Sequence, residues 1–99
     1  MEYLDLINHN IDENKEQLLQ TLQELIAIKS VAEDTEGEMP FGEGVQKAFS
    51  YMLETAKKEG FPVKNTDNYG GHIELKGESD RVMGIVGHLD VVPEGSGWE

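Results

Sequence analysis

The run Val82-Met83-Gly84-Ile85-Val86-Gly87 restricts the fold of this chain more than any other segment. It has the length of a strand and is almost wholly apolar, so it offers water no polar face. Such a run predicts a central strand covered on both sides of its sheet. The covering elements have to be amphipathic, and two candidates precede it. Leu18, Leu22, Leu25 and Ile26, with Leu19 alongside, recur at helical spacing and predict a helix from about Asp12 to Ile28, with Asn10 or Asp12 as its cap. This leucine stripe is expected to pack into a core. Val45, Ala48, Phe49, Met52, Leu53 and Ala56 predict a second helix, with Phe49 and Met52 as core candidates. Lys57 and Lys58 suit the negative end of its dipole, Gly60 supplies a left-handed stop and Pro62 discourages continuation.

Between the helices, the stretch from Ser30 to Gly44 loses all periodicity. Glu33, Asp34, Glu36, Glu38 and Glu43 stand there without a basic residue, among Gly37, Pro40 and Gly42. This is expected to be a loop whose acids stay in water, because the alternating oxygen spacing of a calcium loop is not present. After Gly60 the period changes. Phe61 to Thr66 predicts a short edge strand, Asp67 to Gly71 a turn, and His72 to Lys76 a second strand. Two helices followed by strands, one of them buried on both faces, predict a layered α/β domain.

Composition narrows the function. At 99 residues the chain holds one domain at most, and 20 acidic against 8 basic side chains give a net charge of −12. That charge repels nucleic-acid backbones and anionic membranes, so neither is expected as a partner. The absence of cysteine removes disulfides, thiolate zinc sites and a cysteine nucleophile. The start M-E-Y-L-D-L-I-N is not that of a signal peptide, and no run approaches the roughly 20 apolar residues of a membrane span. A cytoplasmic location is expected.

Chemistry concentrates directly after the apolar run, in Gly87-His88-Leu89-Asp90-Val91-Val92-Pro93-Glu94-Gly95. If the strand continues, its period of two puts His88 and Asp90 on one face, with Leu89 opposite. The end of a central strand is where α/β sheets place their ligand sites. An imidazole with one free lone pair is a good ligand for zinc or manganese, and a carboxylate that accepts its other N–H fixes the tautomer and raises its basicity. On this reading His88 is a metal ligand and Asp90 its orienting group, unless Asp90 stands nearer the reacting water. His9 is expected in solvent, and His72 is expected to be structural, on the polar side of its strand.

The flanks of that pair, G-I-V-G-H-L-D-V-V-P-E-G with Trp98 beyond, resemble the signature of the dinuclear-metal peptidases, a family of aminoacylases, carboxypeptidases and dipeptidases. P-F-G-E-G-V-Q-K-A-F, from Pro40 to Phe49, and N-Y-G-G-H-I, from Asn68 to Ile73, look like its bacterial Xaa-His (carnosinase-type) dipeptidase branch in particular. Gly71 and His72 depart slightly from the more variable residues expected there. The resemblance covers nearly the whole chain.

It implies that residues 1–99 are the N-terminal part of a layered α/β metallopeptidase catalytic domain, with the rest of that domain and a lid domain absent. It also implies that His88 is the first metal-ligating histidine and that the catalytic carboxylate Asp90 orients it. Two divalent metal ions (zinc, or else manganese or cobalt) would share a water and a bridging aspartate, and a glutamate of a Glu-Glu pair would act as general base. Nothing after Asp90 matches those later elements. The expected activity is therefore dipeptide hydrolysis by the full-length relative, with a small peptide as partner and with these 99 residues inactive alone. The alternatives are an amidohydrolase of the same family acting on N-acyl amino acids, and a small acidic binding module without catalysis.

Overall fold

The computed structural model describes residues 2–98, and its elements run α1 (Tyr3–Ile26), α2 (Glu43–Lys58), β1 (Val63–Thr66) and β2 (Gly70–Ile73). Helix α1 starts well before the expected Asp12. Leu4, Ile7 and Ile11 carry the stripe of Leu18 and Leu25 backwards at spacings of three and four, and extended Glu2 precedes the first turn without a side-chain cap bond. Asn10, expected as a cap, is internal instead, and its carbonyl accepts the Asn14 amide at 2.8 Å. The stripe is also not in a core: no residue of α1 is buried, and Leu18 is 61% exposed.

A polar contact joins α1 to α2. The Tyr51 hydroxyl donates to Glu24 Oε2 at 2.6 Å and lies 3.3 Å from the Thr21 carbonyl. This bond holds the Glu24 carboxyl below its ordinary range and pushes the Tyr51 phenol above its ordinary value. The Glu24 contribution is present above the unfolded carboxylate value and is lost as pH falls through the lower folded one. The Tyr51 contribution is present below the unfolded phenol value and is lost as pH rises through the higher folded one. In a spectrophotometric titration, one of the three tyrosines should therefore ionise later than the others. Glu24→Gln should bring it back into line, and three coincident ionisations in the unaltered chain would refute the contact.

Helix α2 forms where it is expected and carries the most deeply buried side chains, Ala48 at 0% and Ala56 at 6% exposure. Phe49 and Met52, expected in the core, are half-buried. The helix ends as its sequence dictates: Gly60 takes φ +92°, its N–H bonds the Lys57 carbonyl, and the Phe61 N–H bonds the Ala56 carbonyl, each at 3.0 Å. These two bonds are a Schellman motif. At the other end Gly44 has no room for a side chain, because the Lys29 carbonyl occupies the place of its Cβ.

Strands β1 and β2 form an antiparallel hairpin registered from Val63↔Ile73 to Thr66↔Gly70. Asp67 (φ 52°) and Asn68 (φ 65°) form its turn, closed by the Tyr69 N–H on the Thr66 carbonyl at 3.0 Å. Positive φ at both central residues is the type I′ geometry that suits strand twist, and Asn and Asp tolerate it best. That turn sets the register, so β2 covers Gly70–Ile73 rather than the expected His72 to Lys76. The hairpin lies on α2, where a Cβ at Gly71 would meet the Phe49 ring at 2.9 Å.

The expected central strand does not form. Val82 is 91% and Val86 97% exposed, and residues 81–90 hold no strand. A strand exists only through neighbours that pair with it, and the one sheet among the described residues is the two-stranded hairpin. The chain is accordingly open. Its surface is 9084 Å², against about 5,700 Å² for a folded monomer of this mass. Its radius of gyration is 16.6 Å, against about 13 Å for a compact domain of this length. The α/β content stands, as two helices and a small sheet.

Candidate active site

Three separated stretches meet at a cleft of about 310 Å³. The loop before α2 and its first turns bring Phe41, Val45, Gln46 and Phe49, the hairpin turn brings Asn68 to Gly71, and the segment after the apolar run brings Gly87 to Asp90. The first two of these stretches carry the resemblance to the dipeptidase branch and the third the resemblance to the wider dinuclear-metal peptidase family. The loop expected between Ser30 and Gly44 is irregular as expected, closed by the Glu33 N–H on the Phe41 carbonyl at 2.8 Å and by the Thr35 hydroxyl on the Met39 carbonyl.

Asn68 fastens the cleft. Its Oδ1 accepts from Gln46 Nε2 at 3.0 Å and from Asn65 Nδ2 at 2.7 Å, and its Nδ2 donates to the Glu38 carbonyl at 2.6 Å. One amide therefore joins α2, the hairpin and the preceding loop, and the neighbouring Tyr69 ring meets Phe41 edge to face, with centroids 5.6 Å apart. In the sequence Asn68 stands as a turn residue and as the first residue of the N-Y-G-G-H-I run. The legible signal was the Asp-Asn pair itself, whose left-handed backbone aims the amide inward.

His88 and Asp90 lie at this cleft and are in contact, although no strand carries them. His88 Nδ1 is 3.3 Å from Asp90 Oδ1 and 3.0 Å from the Asp90 backbone carbonyl. Both neighbours are acceptors, which suits the tautomer with the proton on Nδ1 and the lone pair on Nε2. Both side chains are largely open to solvent, so their mutual attraction contributes little stability and the contact serves orientation. Leu89, expected on the opposite face, borders the same cleft. His9 is exposed as expected, paired with Glu13 at 3.1 Å along α1. His72 is exposed on β2, opposite Lys64.

As a metal centre the donor set is partial. Among the described residues no three His, Asp or Glu side chains converge, whereas a zinc site takes at least three protein ligands. His88 fits one ligand and Asp90 its orienting group. These residues do not complete a site.

Over most of its own length the chain is similar to bacterial proteins named dipeptidases. It is 46% identical over 86 residues to "Putative dipeptidase YtjP" of Bacillus subtilis, covering 85% of this chain and 18% of that protein. It is 45% identical over 87 residues to the "Beta-Ala-Xaa dipeptidase" of Lactobacillus delbrueckii subsp. lactis, covering 85% of this chain and 18% of the relative. "Putative dipeptidase SH1171" of Staphylococcus haemolyticus is 38% identical over 91 residues, covering 90% of this chain and 19% of that protein. The chain thus spans about a fifth of the length of the relatives it matches. No family model matches it. No helix among the described residues is long and apolar enough to cross a membrane.

Proposed function

We propose that this chain supplies part of the active site of a metal-dependent, cytoplasmic dipeptidase, within a layered α/β catalytic domain. The observation that carries the reading is His88 held by Asp90 through Nδ1 at a cleft built from the stretches that resemble dipeptidases. Two divalent ions, zinc in the first instance, would lower the pKa of a shared water and polarise the scissile carbonyl. His88 offers one nitrogen to such a site, and Asp90, as acceptor at Nδ1, orients the ring so that Nε2 is the nitrogen offered. The remaining ligands and the general base are not supplied by the described residues.

The test is to assay the complete protein that carries this chain with dipeptides and with N-acetyl amino acids, before and after chelation. Dipeptide hydrolysis that is lost on chelation and restored by zinc, manganese or cobalt supports the reading. Preference for N-acyl amino acids would move the assignment to an amidohydrolase, and activity indifferent to chelation would remove the metal.

A further inference from the structure

We propose that Gly44 and Ser30 form a strut that positions the His88–Asp90 pair, acting through the backbone bond from Val91 N–H to the Ser30 carbonyl. Among the described residues, one backbone hydrogen bond leaves the stretch from Leu75 to Trp98, and it is this one, at 3.0 Å. It falls one residue after Asp90 and is accompanied by a parallel bridge between Val31 and Val91. Without it, the pair would stand on exposed, unpaired backbone that samples many conformations, and the oriented arrangement would be present only part of the time.

The acceptor of that bond is itself fixed. Ser30 is buried, at 6% exposure. The peptide just before it, through the Lys29 carbonyl, lies against Gly44 in the space a Cβ would fill. Gly44 belongs to the first turn of α2, the element with the most deeply buried side chains. Support therefore runs from α2 through Gly44 to Lys29 and Ser30, across one hydrogen bond to Val91, and so to Asp90 and His88. Gly44 and Ser30 do not border the cleft. They are positioning residues, and glycine is required at 44 by contact rather than by φ. The consequence for catalysis rests on the dipeptidase reading. The geometry does not.

The test is nitrogen-15 NMR of the 99-residue chain at one neutral pH. In samples dilute enough to be monomeric, the Val91 amide should exchange about five- to tenfold more slowly than the amide of Val92, as one net hydrogen bond implies. His88 should show the Nδ1–H tautomer. Gly44→Ala should raise Val91 exchange to that of its neighbours and abolish the Nδ1–H signature together. Gly77→Ala, whose Cβ meets open space, should change neither.

If circular dichroism shows that Gly44→Ala has lost α2, Val91→Pro decides, because it deletes the donor at a position outside α2, while also holding Asp90 extended. An unprotected Val91 amide in the unaltered chain, or persistence of the Nδ1–H form in a folded Gly44→Ala or in Val91→Pro, would overturn the strut. In the complete protein the same substitutions should lower kcat about tenfold at unchanged KM. A complete protein that hydrolyses no dipeptide would sink the functional reading, while the NMR result would still decide the positioning.

Discussion

His88→Ala in the complete protein should lower kcat/KM for dipeptides by about three orders of magnitude, the equivalent of about 4 kcal/mol of transition-state stabilisation. The size follows from the role proposed for the ring. A lost ligand leaves a metal misplaced or absent, and no other histidine borders the cleft to replace it. Asp90→Asn should cost less, near the low end of the 10- to 100-fold range for groups that orient a ligand. The reason is specific to this geometry: Nδ1 has two acceptors, and the backbone carbonyl at 3.0 Å survives the substitution. Steady-state kinetics with metal content measured in parallel checks both. Equal effects of the two substitutions would mean that Asp90 acts on the reacting water rather than through the imidazole. A His88→Ala enzyme with near-normal kcat/KM would remove His88 from the site.

The second large effect concerns the chain in solution. Val82, Met83, Ile85 and Val86 are each at least 87% exposed, and Leu4, Ile7, Ile11 and Leu18 of α1 each more than half. Contiguous apolar surface on this scale is uncommon in soluble monomers and marks a surface that binds another. The 99-residue chain should therefore self-associate, with sedimentation coefficients that rise with concentration and strong binding of a hydrophobic dye. Replacing Ile85 and Val86 together by Asp should shift the population towards monomer by about tenfold or more, since each buried aliphatic side chain is worth about 1.5–3 kcal/mol. A concentration-independent monomer with no dye binding would show that the segment is covered in some other way.

Local chemistry was well marked in the sequence. The extent of α2 and its glycine stop depend on neighbours within a few residues, and Ala56 to Phe61 contain everything the Schellman end needs. The Asp67-Asn68 turn is of the same kind, and it also moved β2 two residues from its expected start. The His88–Asp90 contact was legible too, because two residues separated by one can touch wherever the backbone is extended. Less legible was the start of α1. Asn10 and Asp12 look like caps, but in the middle of a continuous apolar stripe their preference for an end is overridden. Asn68 as the fastening of the cleft was marked only by its turn chemistry, and the reach of Val91 to Ser30 was not legible at all, since it joins residues far apart in the chain.

By itself the sequence determined where α2 and the turns form and which dipeptidase-like motif the chain carries, because each of these is settled over a few bonds or by residue identity. Tertiary structure alone decided that the motif stretches share one cleft, that His88 and Asp90 hang from a single backbone bond, and that the apolar run lies bare. Burial and pairing are properties of two surfaces, and one stretch of sequence specifies only its own.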